Sequence, residues 1–440
     1  MSWAMLDALL EKCREPVSSR PIAFFRIAFG SLMVILVARY LTHSWIHEYY
    51  VEPTYFFGYP GLSWARPLPA PWPYVQWGLL GLFALCIALG FFQRIASALF
   101  FVSFVTAHFS DKTEYLNHYY LVALLSLLLA VIPASQVMSI DAWRNPSLEA
   151  RSSPSWHLWL LRFQIAVVYF YGGVGKLNAD WLLHAQPLKI WLSSLAGLPL
   201  LGPVLAYPAT AFFMSWAGAI FDLSVPFALW FRRLRPFAFA ALIAFHLCTF
   251  ALFQIGMFPW IMMASALSLW GVESTLGDAE CGDDKSVESG LSASRAPLYI
   301  AFGYVLFQAL FPLRSLLYPG NVNWTEEGFR FSWKVMLIEK SGSVQFKVRE
   351  PDGRAWVVEP RELFTPFQVK MLSTQPDMIL QAAHFVAADA RAHGHQDVEV
   401  RADALVSFNG RPAQRIIDPN VDLAHQNDTI FARPWVLPLR

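Results

Sequence analysis

The chain has 440 residues, of which 56% are hydrophobic, 16% aromatic and only 15% charged, with a formal net charge of +1. A soluble protein of this size carries about 25% charged residues, so the composition excludes an ordinary soluble enzyme and points to a polytopic membrane protein. A net charge so near zero offers no basic surface to nucleic acid. The spacing of Cys13, Cys86, Cys248 and Cys281 fits neither a disulfide framework nor a metal site.

The N-terminal segment, 1–19, is charged and lacks the apolar core of a signal peptide, so the first apolar run stays in place as an anchor. Nine apolar runs follow, at 20–41, 73–92, 95–110, 117–137, 156–175, 203–231, 236–254, 256–271 and 297–313. About 20 residues suffice to cross the hydrocarbon of a bilayer. The sixth run is long and has a break point near Asp222 and Pro226; the third and eighth are short. The turn Ile255-Gly256 makes a tight hairpin or re-entrant pair of the seventh and eighth.

Basic residues gather at alternate ends of these runs. Lys12, Arg14 and Arg20 precede the first, Arg94 follows the second, Arg144 and Arg151 the fourth, and Arg232, Arg233 and Arg235 the sixth. That bias puts the N-terminus in the cytoplasm and, after nine crossings, everything beyond residue 314 on the opposite side. Within the helical domain, 20–313, the acidic and Ser/Gly-rich stretch 272–296 reads as a cytoplasmic linker.

From 314 to 440 the pattern changes. Polar and apolar residues alternate in Ser343–Arg349 and Asp397–Arg401, Asp352-Gly353 and Asn409-Gly410 are hairpin-turn dipeptides, and Met378–His393 reads as one helix. The fold class is a polytopic α-helical membrane domain of about nine spans, followed by a largely β extracytoplasmic domain for which a sandwich is one arrangement. In a bacterial cell these would sit in the inner membrane and the periplasm.

Charged groups inside apolar spans are costly and mark function by default. Arg26, Arg162, Asp222 and His246 lie in such positions; their plain reading is a buried ion pair, a headgroup contact or helix packing. Lys176 closes the fifth run after three glycines, in Tyr169-Phe-Tyr-Gly-Gly-Val-Gly-Lys-Leu-Asn-Ala-Asp-Trp181. Read alone, it either snorkels to the interface or, desolvated, holds a neutral amine able to take a proton. The sidedness puts Asn117, His118, Lys176 and His246 on one membrane face beneath the outer domain. A base with hydrogen-bonding partners in an apolar setting open to lipid suits a hydrophobic substrate such as a quinone. No cysteine falls in an outer loop to serve as a thiol base.

Several segments resemble the vitamin K-dependent gamma-glutamyl carboxylase family in its bacterial form. Leu116-Asn-His-Tyr-Tyr120 looks like its Asn-His element, and the run from Arg162 to Trp181 is similar to its most diagnostic stretch. Phe245-His246 with Ile255-Gly-Met-Phe258, Asn323-Trp-Thr325 with Phe331-Ser-Trp333, and the run from Asn409 to Asp422 supply three further ordered matches.

The resemblance implies an enzyme that oxidises vitamin K hydroquinone (reduced menaquinone or phylloquinone) with O2 to the epoxide. The strong base so formed would let CO2 carboxylate glutamate in a protein or peptide, with no metal needed. It implies Lys176, His118 and Asn117 as the catalytic set. It also implies His246, Met257, Trp324, Phe329, Ser332, Trp333 and Met336 around the quinone and glutamate, with 324–340 as an edge of the outer domain. Plain β-core packing by period-2 alternation accounts equally for Phe331, Trp333 and Val335. Gly175 replaces a second lysine of the animal members, Phe329 a tyrosine and Ile338 a histidine, and the cysteines of their outer disulfide are missing. These departures keep open an alternative, hydroquinone epoxidation without glutamate carboxylation. A third reading, a transporter or membrane-anchored binding protein, is opposed by the lack of an internal repeat and by a polar cluster set toward one face.

Overall fold

A computed structural model describes residues 3–62, 65–271 and 295–440. Most of the linker read at 272–296, with Cys281, lies outside the described residues. Among the described residues nine apolar helices carry the first part: α1 (Arg20–Thr42), α2 (Trp72–Leu89), α3 (Gln93–His108), α4 (Asn117–Val131), α5 (Ser155–Gly175), α6 (Pro208–Trp230), α7 (Arg235–Leu252), α8 (Phe258–Ala266) and α9 (Ala296–Leu310). Six of these, α1, α2, α5, α6, α7 and α9 with its 3-10 continuation to Leu317, are long and apolar enough to cross a membrane.

The other three are shorter, so six of the nine runs read from the sequence meet that length. α3 has 16 residues, α4 has 15, and α8 has 9 before a π-helical continuation to Gly271. At about 1.5 Å per residue such helices fall short of a hydrocarbon core about 30 Å thick. The break read in the sixth run is corrected. α6 passes unbroken through Asp222 and Pro226; the chain breaks earlier, between a short helix Gly202–Ala206 and Pro208, which opens α6 where a missing N–H costs nothing.

The helix ends sort onto two faces. On one, Pro16–Ser18 pairs antiparallel with Ser152–Pro154, and the Asp141 carboxylate accepts the N–H groups of Phe92 and Gln93 at 2.8 and 3.0 Å. Arg26 stitches this end together. Its guanidinium is buried and donates to the carbonyls of Ile87, Ala88, Ala134 and Met138. Instead of pairing with an acid, it satisfies carbonyls left open at helix ends. Arg162 likewise donates to Leu269 O and lies over the Trp270 ring.

On the other face stands the C-terminal domain. Strands β1 (Lys340–Arg349), β2 (Ala355–Val358), β3 (Glu399–Phe408) and β4 (Gln414–Arg415) form one antiparallel sheet in the order β2-β1-β3-β4. Inward residues of β1 and β3, such as Val344, Phe346, Val400 and Ala404, pack against helix α10 (Pro376–Ala392). The other side of β1 is exposed, so the domain is a helix layered on one sheet and not a sandwich or a largely β unit. The turn at Asp352-Gly353 and the left-handed pair Asn409-Gly410 fall where hairpin chemistry places them.

Loops of the helical part complete this domain. Phe57, fully buried, sits in its core, and Gln381 Nε2 donates to Gly58 O at 2.8 Å. Lys112 and Arg330 both pair with the buried Asp377 carboxylate, at 2.9 and 2.8 Å. Arg411 grips Asp180 with two donors, at 2.9 and 2.6 Å, and Asn409 Nδ2 donates to the same carboxylate at 3.0 Å.

Candidate active site

Lys176 caps the C-terminal end of α5, and its side chain turns back along the helix. Its Nζ lies 2.6 Å from Asp222 Oδ2 and 3.2 Å from Gly172 O, with the Trp181 ring at 5.2 Å. Both partners are buried. Three glycines make this possible. A Cβ on Gly173 would stand 2.7 Å from Leu223 Cγ of α6, and one on Gly175 would stand 2.9 Å from Leu337 Cδ1. The glycines let α5 approach α6 and let the C-terminal domain's loop approach α5, and at Gly175 an added side chain would have to displace the end of Leu337.

The pair lies on the wall of a cavity between α5, α6 and α7. Phe245, Phe253 and Phe258 give it aromatic walls among aliphatic residues such as Val168, Leu188 and Ile255. His246, buried on α7, shares it. The ring's Nε2 lies 2.7 Å from Tyr169 Oη, and its Nδ1 has no partner among the described residues. Met336 reaches the same cavity from the C-terminal domain.

Asn117 and His118 line a neighbouring groove, together with Met257. The groove and the cavity share Phe253, Ile255, Phe258, Val335 and Met336 as a common wall. Phe258 stands between the two histidines, with ring centroids 6.2 Å from His118 and 6.0 Å from His246. Gly256 is at positive φ, and a Cβ there would meet His118 Nε2 at 3.8 Å. Asn117 is committed: its Nδ2 donates to Lys334 O at 2.9 Å and its Oδ1 accepts from Tyr115 Oη at 3.1 Å. It holds the incoming loop in place.

That loop, 327–339, corrects the strand-like alternation read at Phe331, Trp333 and Val335. Phe331, Trp333 and Met336 all have positive φ, which no strand accommodates. Phe331 and Trp333 turn into the helical part, where Trp333 stacks on Tyr120 at 4.7 Å and Phe331 packs on Phe109 at 5.7 Å. Trp324, Phe329, Ser332 and Trp333 therefore line neither the cavity nor the groove. Trp324 is fully buried in the core of the C-terminal domain, its Nε1 donating to Leu437 O, and Ser332 Oγ donates to Gly328 O.

Asp222, Tyr169 and the glycines are parts of the site that sequence reasoning did not assemble. A carboxylate in one apolar run and a lysine ending the run before it were the available signal. Among the described residues, no group of three or more His, Cys, Asp or Glu side chains stands close enough to hold a metal ion.

Comparison with known families gives two matches. Residues 14–271 match the model described as HTTM domain, and residues 293–440 match the one described as vitamin K-dependent gamma-carboxylase, lumenal domain. No solved structure matches the chain.

Proposed function

From the chain's membership of the vitamin K-dependent gamma-glutamyl carboxylase family, we propose that it is an integral membrane enzyme that oxidises reduced vitamin K with O2 and carboxylates glutamate with CO2. The observation that carries this reading is the Lys176–Asp222 pair, at 2.6 Å, set in an aromatic cavity with an unpartnered nitrogen of His246. Flat aromatic walls with a few polar atoms suit a bicyclic quinone. When bound, reduced vitamin K and O2 supply the oxidation that creates a base strong enough for a carbon acid.

The chain's own residues have narrower tasks. Passing a proton from Lys176 Nζ to Asp222 Oδ2 creates no net charge, so a neutral amine is reachable without stranding an ion in the cavity. That amine takes the proton of a hydroxyl placed against it and becomes an ammonium, the counter-ion of the anion it has made. His246 Nδ1 offers a second polar contact, and the Tyr169 hydroxyl at 2.7 Å from Nε2 holds the ring in place. The aromatic wall and the inserted loop exclude water from the anion. The outer placement of the C-terminal domain and the cytoplasmic N-terminus belong to the same proposal, supported by the basic residues gathered at the opposite face.

The test is an assay of purified protein with reduced vitamin K, O2, labelled bicarbonate and a Glu-containing peptide. Epoxide together with labelled peptide is the expected result; epoxide without label on the peptide supports the alternative of epoxidation alone. Folded protein that makes no epoxide refutes both. Lys176→Ala is expected to abolish epoxide formation without loss of expression.

A further inference from the structure

The groove that holds His118 opens between the helical part and the C-terminal domain, has a volume of about 1150 Å³, and is lined on the domain side by Phe367 and Met371. Most of its wall is aromatic or aliphatic. Arg39, near the end of α1, is the one Lys or Arg side chain lining it among the described residues. Its guanidinium lies over the Trp45 ring, 5.2 Å from the centroid, and close enough to His118 and Tyr119 to act on them electrostatically.

Stacking occupies the face of a guanidinium and leaves its in-plane N–H donors free. Among the described residues no carboxylate pairs with Arg39 and no carbonyl accepts from its side chain. The one acid on the groove wall, Glu114, does not supply the missing charge. Burial, reinforced by Asp111 and Glu48, pushes its carboxyl well above the ordinary carboxylate range, and its Oε1 has no partner among the described residues.

We propose that Arg39 holds the side-chain carboxylate of a glutamate-bearing peptide lying extended in this groove beside His118. The inference rests on the carboxylase reading and adds to it a residue that selects the substrate. Charge complementarity argues for an acidic occupant, and the slot between the domain and the helices suits an extended chain. The groove shares a wall with the Lys176 cavity, so a peptide lying along the groove adjoins the chamber where the base is made.

The chemistry needs such a cation. Loss of the γ-proton to that base leaves the C–H electron pair on Cγ, and the pair then forms the new C–C bond to CO2. While it resides on Cγ it spreads into the glutamate's own carboxylate, which becomes doubly charged. A guanidinium with two parallel donors neutralises the first charge and stabilises the second.

The experiment uses the full chain in phosphatidylcholine nanodiscs and two peptides that differ only in Glu against Gln at one position. Wild type is expected to bind the Glu peptide about tenfold or more tighter than the Gln peptide. Arg39→Gln should remove that preference, and Arg39→Lys should keep part of it, with folding of each variant checked by thermal shift. A wild type that does not prefer the Glu peptide, or an Arg39→Gln protein that keeps the full preference, overturns the proposal. So does an Arg39→Gln protein that loses tightly held phospholipid while still discriminating Glu from Gln, because Arg39 is then a headgroup ligand. Failure of the carboxylase reading is seen separately, as wild type that makes no epoxide.

Discussion

A buried ammonium and a buried carboxylate at 2.6 Å cancel a charge that neither could carry alone in this setting. Asp222→Asn strands the Lys176 ammonium, so we predict a stability loss of about 3–5 kcal/mol, read as a lower Tm in detergent. Epoxide formation should fall by about a hundredfold or more, the usual worth of a positioned acid–base group, with partial recovery in Asp222→Glu. A normal rate at a lowered Tm would confine Asp222 to holding the helices together. Arg26 is a different kind of buried charge. Its donors are spent on four carbonyls, and a lysine cannot reproduce that fork. Arg26→Lys is expected to cost about 2–4 kcal/mol in thermal unfolding while leaving the cavity intact. Both charges are visible in the sequence as intrusions into apolar runs. Their partners are not, because Asp222 lies 46 residues from Lys176 and the Arg26 carbonyls lie 61 to 112 residues from Arg26.

Helices α5 and α6 carry the two halves of the site, and glycine sets their separation. Gly173→Ala would put a methyl 2.7 Å from Leu223 Cγ, which the neighbour cannot yield without moving the helix. We predict a cost of about 1–3 kcal/mol and a lower epoxide rate, because parting the helices also parts Lys176 from Asp222; an unchanged rate and Tm would show that α6 is free to shift. Apolar runs of adequate length announced their own helices, since a chain in hydrocarbon must satisfy its backbone internally. For the loop at 327–339 the strand alternative fails for an equally physical reason. Its period-2 alternation matched a strand, yet three positive-φ residues turn it into an irregular plug, and alternation carries no information about φ.

The helical part and the C-terminal domain are locked by buried charges, and that lock responds to acid. Burial alone would raise the Asp377 carboxyl, but Arg330 and then Lys112 outweigh it and hold the group well below its ordinary 3.8. A depressed carboxyl stabilises the folded form at pH values above the ordinary one, and the stabilisation is lost as pH falls through the folded value. Unfolding followed by tryptophan fluorescence should therefore show a Tm that declines only below about pH 3.8, with that decline weakened in Asp377→Asn. Sidedness is tested with exposed single cysteines after Cys13, Cys86, Cys248 and Cys281 are replaced by Ser. Ser343→Cys should react with an impermeant maleimide from outside intact cells, and Ser147→Cys only after the membrane is opened; the reverse pattern inverts the topology. Composition, apolar run length and the placement of basic residues were enough to determine a polytopic membrane protein with a separate C-terminal domain, because the bilayer acts on each segment independently. The motif around Lys176 was enough to mark the residue. Only the tertiary structure decided that Lys176 has an acid partner, that His118 and His246 lie on either side of Phe258, and that Trp324 is buried in the core of the C-terminal domain while Trp333 stacks on Tyr120. Each of these depends on which helix faces lie together, and that is set by glycine contacts and docking between distant segments that no local pattern encodes.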